Sequence, residues 1–356
     1  MGNYEIRQIQ LIRILLFPLS ILYTWVVQVR NFLFNSSVFK SHRFPVALVS
    51  VGNVTAGGTG KTPMTMWLVD LLKNEFKGIV IISRGYGRKT KGIKVVSDGK
   101  GNLLSAEEGG DEPVLIARKH KSCPVIVSEK RSLGIRKALA EFQPDLILLD
   151  DAFQHRWVSR HCDIVLIRGT GELYKEQPLP LGNLREPLGN LKRADIVVMT
   201  KFKEAVDRRD IAVIKKNYSG SIFESRFMPD RLVNQNLEEV YQIDELKGQR
   251  IIAFAGISDP HLFSSFLEEQ GMILEEFVLY PDHYYYTERD INDLYVKARG
   301  SGCRYIITTE KDLVKIKVTK SKEVELLGLS MRLEISEHER LRQNIISCID
   351  KAMKNG

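Results

Sequence analysis

From residue 44 onward the chain alternates short, continuously apolar runs with stretches of helical period. The runs Val46–Val51, Ile79–Ser83, Val125–Ser128, Leu146–Asp150, Ile164–Arg168 and Ile196–Thr200 are rich in Val, Ile and Leu and carry almost no polar interruption. A strand covered on one face alternates apolar with polar residues, whereas a strand covered on both faces is apolar throughout. Helical stretches separate many of these runs, notably 63–75 and 131–142. Strand–helix–strand repetition of this kind predicts an α/β fold, a doubly wound and mostly parallel sheet.

The pattern lapses between Ser221 and Asp244, where two strand-like runs follow one another without a helical crossover, as in a hairpin or a linker. It then resumes. A strand at Ile251–Ala255 precedes a helix near His261–Gln270, and a strand near Leu274–Leu279 follows. Thr287 with Asp290 three residues on caps a helix running to about Arg299, since the hydroxyl and carboxylate satisfy backbone N–H groups of the first turn. Strands at Tyr305–Thr308 and Val324–Leu329 come next, and Ser336 with Glu339 reads as a capping box for the last helix. The expected organisation is an N-terminal apolar segment over 1–40, a P-loop domain over 41–220, a hairpin or linker over 221–247 and a smaller α/β domain over 248–356.

The N-terminal segment has its own character. Ile14–Val29 holds no charge and is flanked by Arg7, Arg13 and Arg30. Crossing a bilayer takes about 20 apolar residues, and this run is shorter. Pro18 is expected to kink or break a helix there. No small-residue cleavage site follows, so a secretory leader is a poor fit. The segment reads as an amphipathic or half-inserted anchor on a membrane surface, with Tyr23 and Trp25 at head-group depth and the arginines against anionic phosphates. The competing reading is an ordinary helix packed in the core.

Candidate chemistry begins where the first apolar run ends. Val46–Val51 leads into Gly57-Gly58-Thr59-Gly60-Lys61-Thr62, and a helix-forming stretch follows. This is a Walker A loop in strand–loop–helix context, with Thr55 where the general pattern has glycine. Residues 55–62 (Thr55, Ala56, Gly57, Gly58, Thr59, Gly60, Lys61 and Thr62) would cradle phosphates with their backbone N–H groups. Lys61 would reach the terminal phosphates, and the Thr62 hydroxyl would ligate Mg²⁺. Leu146–Asp150 ends in the carboxylate pair Asp150 and Asp151, as a Walker B strand does, and either could hold the metal directly or through water. Gln154 and His155 lie just beyond.

Charge and cysteine content narrow the partners a little. The chain of 356 residues has a net charge of +8, which suits a nucleotide, an anionic head group or nucleic acid without choosing among them. No basic–aromatic platform supports nucleic acid. Cys123, Cys162, Cys303 and Cys348 fall in no metal-ligand spacing, and a reduced cytosolic compartment fits them best.

Read together, the motifs resemble the tetraacyldisaccharide 4′-kinase (lipid A 4′-kinase) family. They are GNVTAGGTGKTP at 52–63, SRGYGR at 83–88, GDEP at 110–113, SEKR at 128–131, DDAFQH at 150–155, PLGNLREP at 180–187, ADIVVMTK at 194–201, AFAGISDP at 253–260, FVLYPDH at 277–283 and TTEKD at 308–312. They run in order over about residues 10–345, and Thr55 belongs to the family pattern. The resemblance implies a Mg²⁺-dependent kinase on the cytoplasmic face of the bacterial inner membrane, held there peripherally or monotopically. It would transfer the ATP γ-phosphate to the 4′-hydroxyl of an acylated glucosamine disaccharide 1-phosphate in lipid A biosynthesis, with no nucleic-acid or protein partner. It further implies Asp111 and His283 as a catalytic pair, Asp111 the base and His283 its orienting partner or the reverse. Asp111 is expected in a loop and His283 in the second domain, so that the pair would meet on domain closure. Arg84, Arg131 and Arg185 are candidate phosphate ligands, Tyr86 and Glu112 candidate substrate contacts, and Thr200–Lys201 and Thr309–Glu310 candidate neighbours of the adenine. The rival reading is a membrane-recruited P-loop regulatory ATPase. Such proteins often carry a lysine just before the Gly-Gly of the loop, where this chain has Ala56.

Overall fold

A computed structural model describes residues 3–200, 204–317, 321 and 323–354. Its strands are β1 (Ala47–Asn53), β2 (Ile79–Ser83), β3 (Lys94–Ser97), β4 (Val125–Val127), β5 (Leu146–Asp150), β6 (Cys162–Arg168), β7 (Ile196–Thr200), β8 (Ser221–Val233), β9 (Glu239–Gln242), β10 (Arg250–Ala255), β11 (Ile273–Leu279), β12 (Tyr305–Thr309) and β13 (Glu325–Ile335). The six apolar runs of the first half are all strands, and every residue of β1, β2, β5 and β7 is buried, as strands covered on both faces must be. The fold is α/β, as expected.

The contacts divide the chain into two compact units that are discontinuous in sequence. The first holds residues 1–61, 145–226 and 335–356, and the second 62–144 and 227–334. This division cuts across the contiguous segments at 41–220 and 248–356 expected from the sequence.

In the first unit the order is β8-β7-β6-β1-β5, and every neighbouring pair is parallel. Val51 of β1 stands opposite Asp150 of β5, so the two strands end side by side. Behind them Phe153, Val165, Val197, Met199 and Ile214 form a closed apolar cluster. In the second unit β2 and β4 are parallel with β3 antiparallel on β4, while β11-β10-β12-β13 run parallel. Residues 221–244 resolve as a hairpin: the second half of β8 pairs antiparallel with β9. Thr287 caps the helix Glu288–Gly300 through a capping box with Asp290. Ser336 forms no such box; its hydroxyl donates to the Glu224 carbonyl at 3.2 Å, and the last helix starts at His338.

The N-terminal helix departs most from expectation. It runs unbroken from Asn3 to Asn35 through Pro18, and its stretch Arg13–Asn35 is long and apolar enough to cross a membrane. A proline removes one backbone donor from a helix, and the remaining turns here are sustained by contacts further along. The helix is also inside out. Ser20, Val27, Asn31 and Phe34 are buried, whereas Leu15, Leu22, Trp25 and Phe32 are each more than half exposed. Ser20 donates to the Pro178 carbonyl at 2.8 Å and Tyr23 to the Arg185 carbonyl at 2.8 Å. A core helix turns its apolar side inward; this one turns Val27 and Phe34 inward together with polar hydroxyls and an amide, and leaves most of its large apolar side chains uncovered. The core-helix reading thus holds only in part, where Val27 and Phe34 are buried.

The end of β1 tolerates no side chain at Gly52. A Cβ there would lie 2.5 Å from Phe153 Cβ and 2.7 Å from Phe153 N, too close for any rotamer change to relieve. We expect Gly52→Ala to cost about 2 kcal/mol or more, in the range of overpacked cores. A lowered thermal unfolding midpoint would show it; an unchanged midpoint would mean that β1 and the turn after β5 are less tightly apposed.

Candidate active site

Strand β1 delivers the chain into the glycine loop, and the helix Lys61–Leu72 begins directly after it. Gly57 and Gly60 have φ of 96° and 86°, a region open to glycine at little cost, which lets the loop curl back toward the helix start. The loop is braced from several sides. Asn53 Nδ2 donates to the Thr55 carbonyl at 2.5 Å and to Thr59 Oγ1 at 3.0 Å, and Thr200 Oγ1 donates to the Thr59 carbonyl at 2.8 Å. The Ala56 amide donates to the Asn183 carbonyl at 2.7 Å, and the Arg185 amide to the Val54 carbonyl at 2.7 Å. Gln154, just past β5, donates from Nε2 to the Asn53 carbonyl at 2.9 Å, so it holds the loop's root.

The β5 carboxylates meet this loop. Asp150 is buried at the strand end, and Asp151 follows in a left-handed conformation with φ of 50°. Asp151 Oδ1 lies 3.7 Å from Lys61 Nζ and 3.0 Å from Arg185 Nη1, so one carboxylate is flanked by two cations. Thr62, the second residue of the helix, is buried. His155 is half-buried; its carbonyl accepts from Arg160 at 3.0 Å.

Next to Arg185 stands Glu186, fully buried and crowded by donors. Its oxygens accept from Asn31 at 2.8 Å, Asn190 at 2.9 Å, Arg193 at 2.6 Å and Arg30 at 3.4 Å. Two of these donors come from the N-terminal helix. One side of the segment 185–186 thus reaches the Walker carboxylates, and the other grips the anchor.

A second constellation lies wholly within the other unit. Asp111 is the first residue of the helix Asp111–Lys119 and is buried, not part of a loop. Its Oδ2 lies 2.8 Å from His283 Nδ1, and its Oδ1 accepts from the Glu112 amide at 2.9 Å. The pair is already in contact inside one compact unit, so no closure between units is needed to form it. His283 has a φ of 60°, its amide donates to the Gly256 carbonyl, and its ring leans on Tyr86 with centroids 5.0 Å apart. Lys311 sits beside both: its Nζ is 3.3 Å from His283 Nε2, 3.2 Å from Glu112 Oε1, 3.4 Å from Asp282 Oδ1 and 3.8 Å from Asp111 Oδ2. Burial alone would raise the Asp111 carboxyl, but the His283 hydrogen bond and the Lys311 charge outweigh it and hold the group below its ordinary value. Burial likewise works against the Lys311 ammonium, and Glu112, Asp111 and Asp282 together push it well above the ordinary lysine range.

The chain matches the Tetraacyldisaccharide-1-P 4′-kinase family over residues 12–350. It belongs to that family. A tetraacyldisaccharide 4′-kinase from Chlorobium phaeovibrioides is 38% identical over 333 residues, covering 91% of this chain and 90% of the relative. One from Syntrophus aciditrophicus is 37% identical over 355 residues, covering 96% and 94% respectively. A crystal structure of LpxK from Aquifex aeolicus in complex with ATP superposes with a TM-score of 0.77 at 34% identity, covering 95% of this chain and 99% of that one.

Against this family background the remaining candidates fall into place. Arg84 and Tyr86 are exposed on the loop after β2, and Glu112 reaches Lys311. Arg131 is buried at the start of its helix and donates to the Ser128 carbonyl at 2.6 Å, which closes its own strand–helix turn. Thr309 caps the helix Glu310–Leu313, and Glu310 pairs with Lys119 at 2.7 Å. Thr200 braces the glycine loop, while Lys201 lies outside the described residues. Lys311, Glu186 and Asn53 escaped the sequence reading. Lys311 and Glu186 stand inside TTEKD and LREP, but a lone Lys or Glu in a motif carries no sign of what it touches.

Removing one partner from a buried ionic cluster leaves uncompensated charge. We expect Glu186→Ala to lower stability by roughly 3 kcal/mol, because Arg193 and the Asn31 amide lose their acceptor. Denaturant unfolding of the full chain measures it; a change below a few tenths would remove Glu186 as the clamp on the N-terminal helix.

Proposed function

We propose that this chain transfers the γ-phosphate of ATP to the 4′-hydroxyl of a tetraacyl glucosamine disaccharide 1-phosphate, a step of lipid A biosynthesis, at the cytoplasmic face of the inner membrane. The reading is carried by one juxtaposition inside a whole-length family match: the loop before Lys61 and the carboxylates after β5 end at the same edge of the sheet.

Phosphoryl transfer asks a protein for positioning and charge neutralisation more than for covalent chemistry. Lys61 and loop amides other than those of Ala56 and Thr59, which donate to the Asn183 and Gly57 carbonyls, hold the phosphates, and Arg185 adds a forked guanidinium beside them. The incoming triphosphate competes with Asp151 for Lys61 and Arg185, the two cations that flank that carboxylate. The oxygen donors here suit Mg²⁺. Thr62 offers a hydroxyl and Asp150 and Asp151 offer carboxylates, while the buried Asn53 Oδ1 and Thr55 Oγ1 have no hydrogen-bond partner among the described residues. Also among the described residues, no group of three or more His, Cys, Asp or Glu could enclose a metal alone. That is the usual pattern for Mg²⁺, which takes one or two carboxylates and completes its shell with phosphates and water. When bound, the ion neutralises charge on the β- and γ-phosphate oxygens.

Asp111 takes the proton of the attacking hydroxyl, and His283 orients it through Nδ1. Arg84, Tyr86, Glu112, Arg131, Gln154 and His155 remain candidates for acceptor or nucleotide contact. Asp111→Ala and His283→Ala are each expected to lower turnover at least about 100-fold, the lower end of general-base contributions, while ATP still binds. Labelled ATP, Mg²⁺ and the disaccharide 1-phosphate, followed by thin-layer separation, measure this. Near-normal turnover in either variant removes that residue from the mechanism. A regulatory ATPase would hydrolyse ATP and leave the lipid unlabelled.

The N-terminal helix is the anchor. Its outward apolar face, rather than its length, carries the membrane contact in this reading, with the inward Ser20, Tyr23 and Asn31 holding it to the protein. Replacing Leu15, Leu22 and Trp25 with Asn alters only exposed positions. The triple variant should stay folded and lose most of its co-sedimentation with vesicles of anionic phospholipid. Undiminished sedimentation would reject the anchor.

A further inference from the structure

We infer that Lys311 is a positioning residue for the reaction: it fixes the His283 ring as a donor to Asp111 and reserves Asp111 as the proton acceptor. The inference rests on the proposed role of the Asp111–His283 pair and deepens it.

The argument begins with what a lysine can do. An ammonium has three donors and no acceptor. Its 3.3 Å contact with His283 Nε2 is therefore a hydrogen bond only if Nε2 accepts. An imidazole that accepts at Nε2 carries its proton on Nδ1, and Nδ1 is the atom 2.8 Å from Asp111 Oδ2. Both ring nitrogens are then committed, and neither is left to take a proton from an alcohol. Asp111 keeps capacity to spare. A carboxylate has about four lone-pair directions, and here one is used by His283 and one by the Glu112 amide.

Charge balance points the same way. Three carboxylates, Asp111, Glu112 and Asp282, lie within 4 Å of Lys311 Nζ, and His283 stands among them. Without a cation this cluster would draw a proton onto the pair. With Lys311 in place the positive charge is supplied by a group that does not enter the reaction. Lys315 adds a more distant positive charge, and Tyr285 is the other titratable group that senses Asp111.

The position of Lys311 is rigidly set. Asp312, its neighbour, is fully buried, accepts from the Gly256 amide at 3.0 Å and Tyr286 at 2.9 Å and forms an ion pair with Lys315 at 2.7 Å, while Thr309 caps the turn. Gly256 also supplies the carbonyl that receives the His283 amide. One buried knot thus holds both the lysine and the histidine.

The test compares full-length wild type with Lys311→Met, Lys311→Arg and Asp111→Ala, measuring kcat/KM for lipid phosphorylation against pH. Met keeps the length and removes the charge. It should lower turnover at neutral pH at least tenfold. It should also move the acid limb to higher pH by about one unit, because an opposite charge at this range shifts a pKa by one unit or more and its loss lets the pair bind a proton sooner. Arg keeps the charge and should hold the limb within about half a unit of wild type. An acid limb unmoved in Met, or moved as far in Arg as in Met, overturns the inference whatever happens to the rate. The ¹⁵N shifts of the His283 ring serve if Met folds poorly: wild type should show a protonated Nδ1 and an accepting Nε2, and the opposite tautomer overturns the assignment. Asp111→Ala separates the two layers. If it stays active, the proposed base is wrong; if it is inactive while Met leaves the limb in place, only the role of Lys311 fails.

Discussion

Two parallel strands that share a fixed register must end at the same level, and in this chain that register sets Val51 against Asp150. Continuing β1 beyond this level makes the glycine loop and Lys61; continuing β5 makes Asp151. Both tails leave the same edge of the sheet, so a cation and a carboxylate separated by ninety residues of chain arrive within 3.7 Å. Gly52 is where the constraint is tightest, since the backbone at Phe153 occupies the volume a Cβ would need. A slip of one strand by one residue would turn that strand's side chains over, which a strand buried on both sides does not resist strongly by itself. Register must be held by the ends, and Gln154 supplies a bond across the pair, while Asn53 and Thr200 brace the loop that follows β1.

The N-terminal helix shows how one segment can answer to two solvents. Its inward face mixes the apolar Val27 and Phe34 with Ser20, Tyr23 and Asn31, and each of those three polar groups is hydrogen-bonded to the body of the first unit. Its outward face is large and apolar, and among the described residues its Leu15, Leu22, Trp25 and Phe32 remain more than half exposed. Exposed apolar area on this scale is unfavourable in water and favourable in a lipid interface. The polar contacts then do what burial does for an ordinary helix. Glu186 makes this concrete: it is the acceptor for the helix at Asn31 and is the chain neighbour of Arg185, which meets Asp151.

The parts legible in the sequence were those written locally. Apolar runs covered on both faces announced β1, β2, β5 and β7, and the glycine loop announced itself by spacing. Thr287 and Asp290 capped their helix because a cap is a three-residue event. What was misread depended on distant partners. Pro18 signals a break, but the helix around it is held by Pro178 and Arg185, more than 150 residues away. Ser336 and Glu339 have the spacing of a capping box, yet Ser336 is claimed by Glu224. Asp111 reads as a loop residue before a proline, but Pro113 falls in the first helical turn, where no donor is lost. Lys311 was invisible because its meaning lies in four groups that reach it from two distant stretches of chain.

Asp151 and Asp111 solve a shared problem by different means. Each carboxylate is held by cations or donors of its own unit, and for the buried Asp111 burial alone would favour the neutral acid. Asp151 is steadied by Lys61 and Arg185, groups suited to phosphate, so its partners can be exchanged when a ligand arrives. Asp111 is steadied by His283 and by Lys311, whose own companions are carboxylates fixed in the same unit. Those partners have no competing anion to leave for. In the proposed roles, Asp151 would exchange its cations when ligand and metal bind, whereas Asp111 as base would have to be ready beforehand. The surroundings of the two aspartates differ in the one respect that separates those tasks.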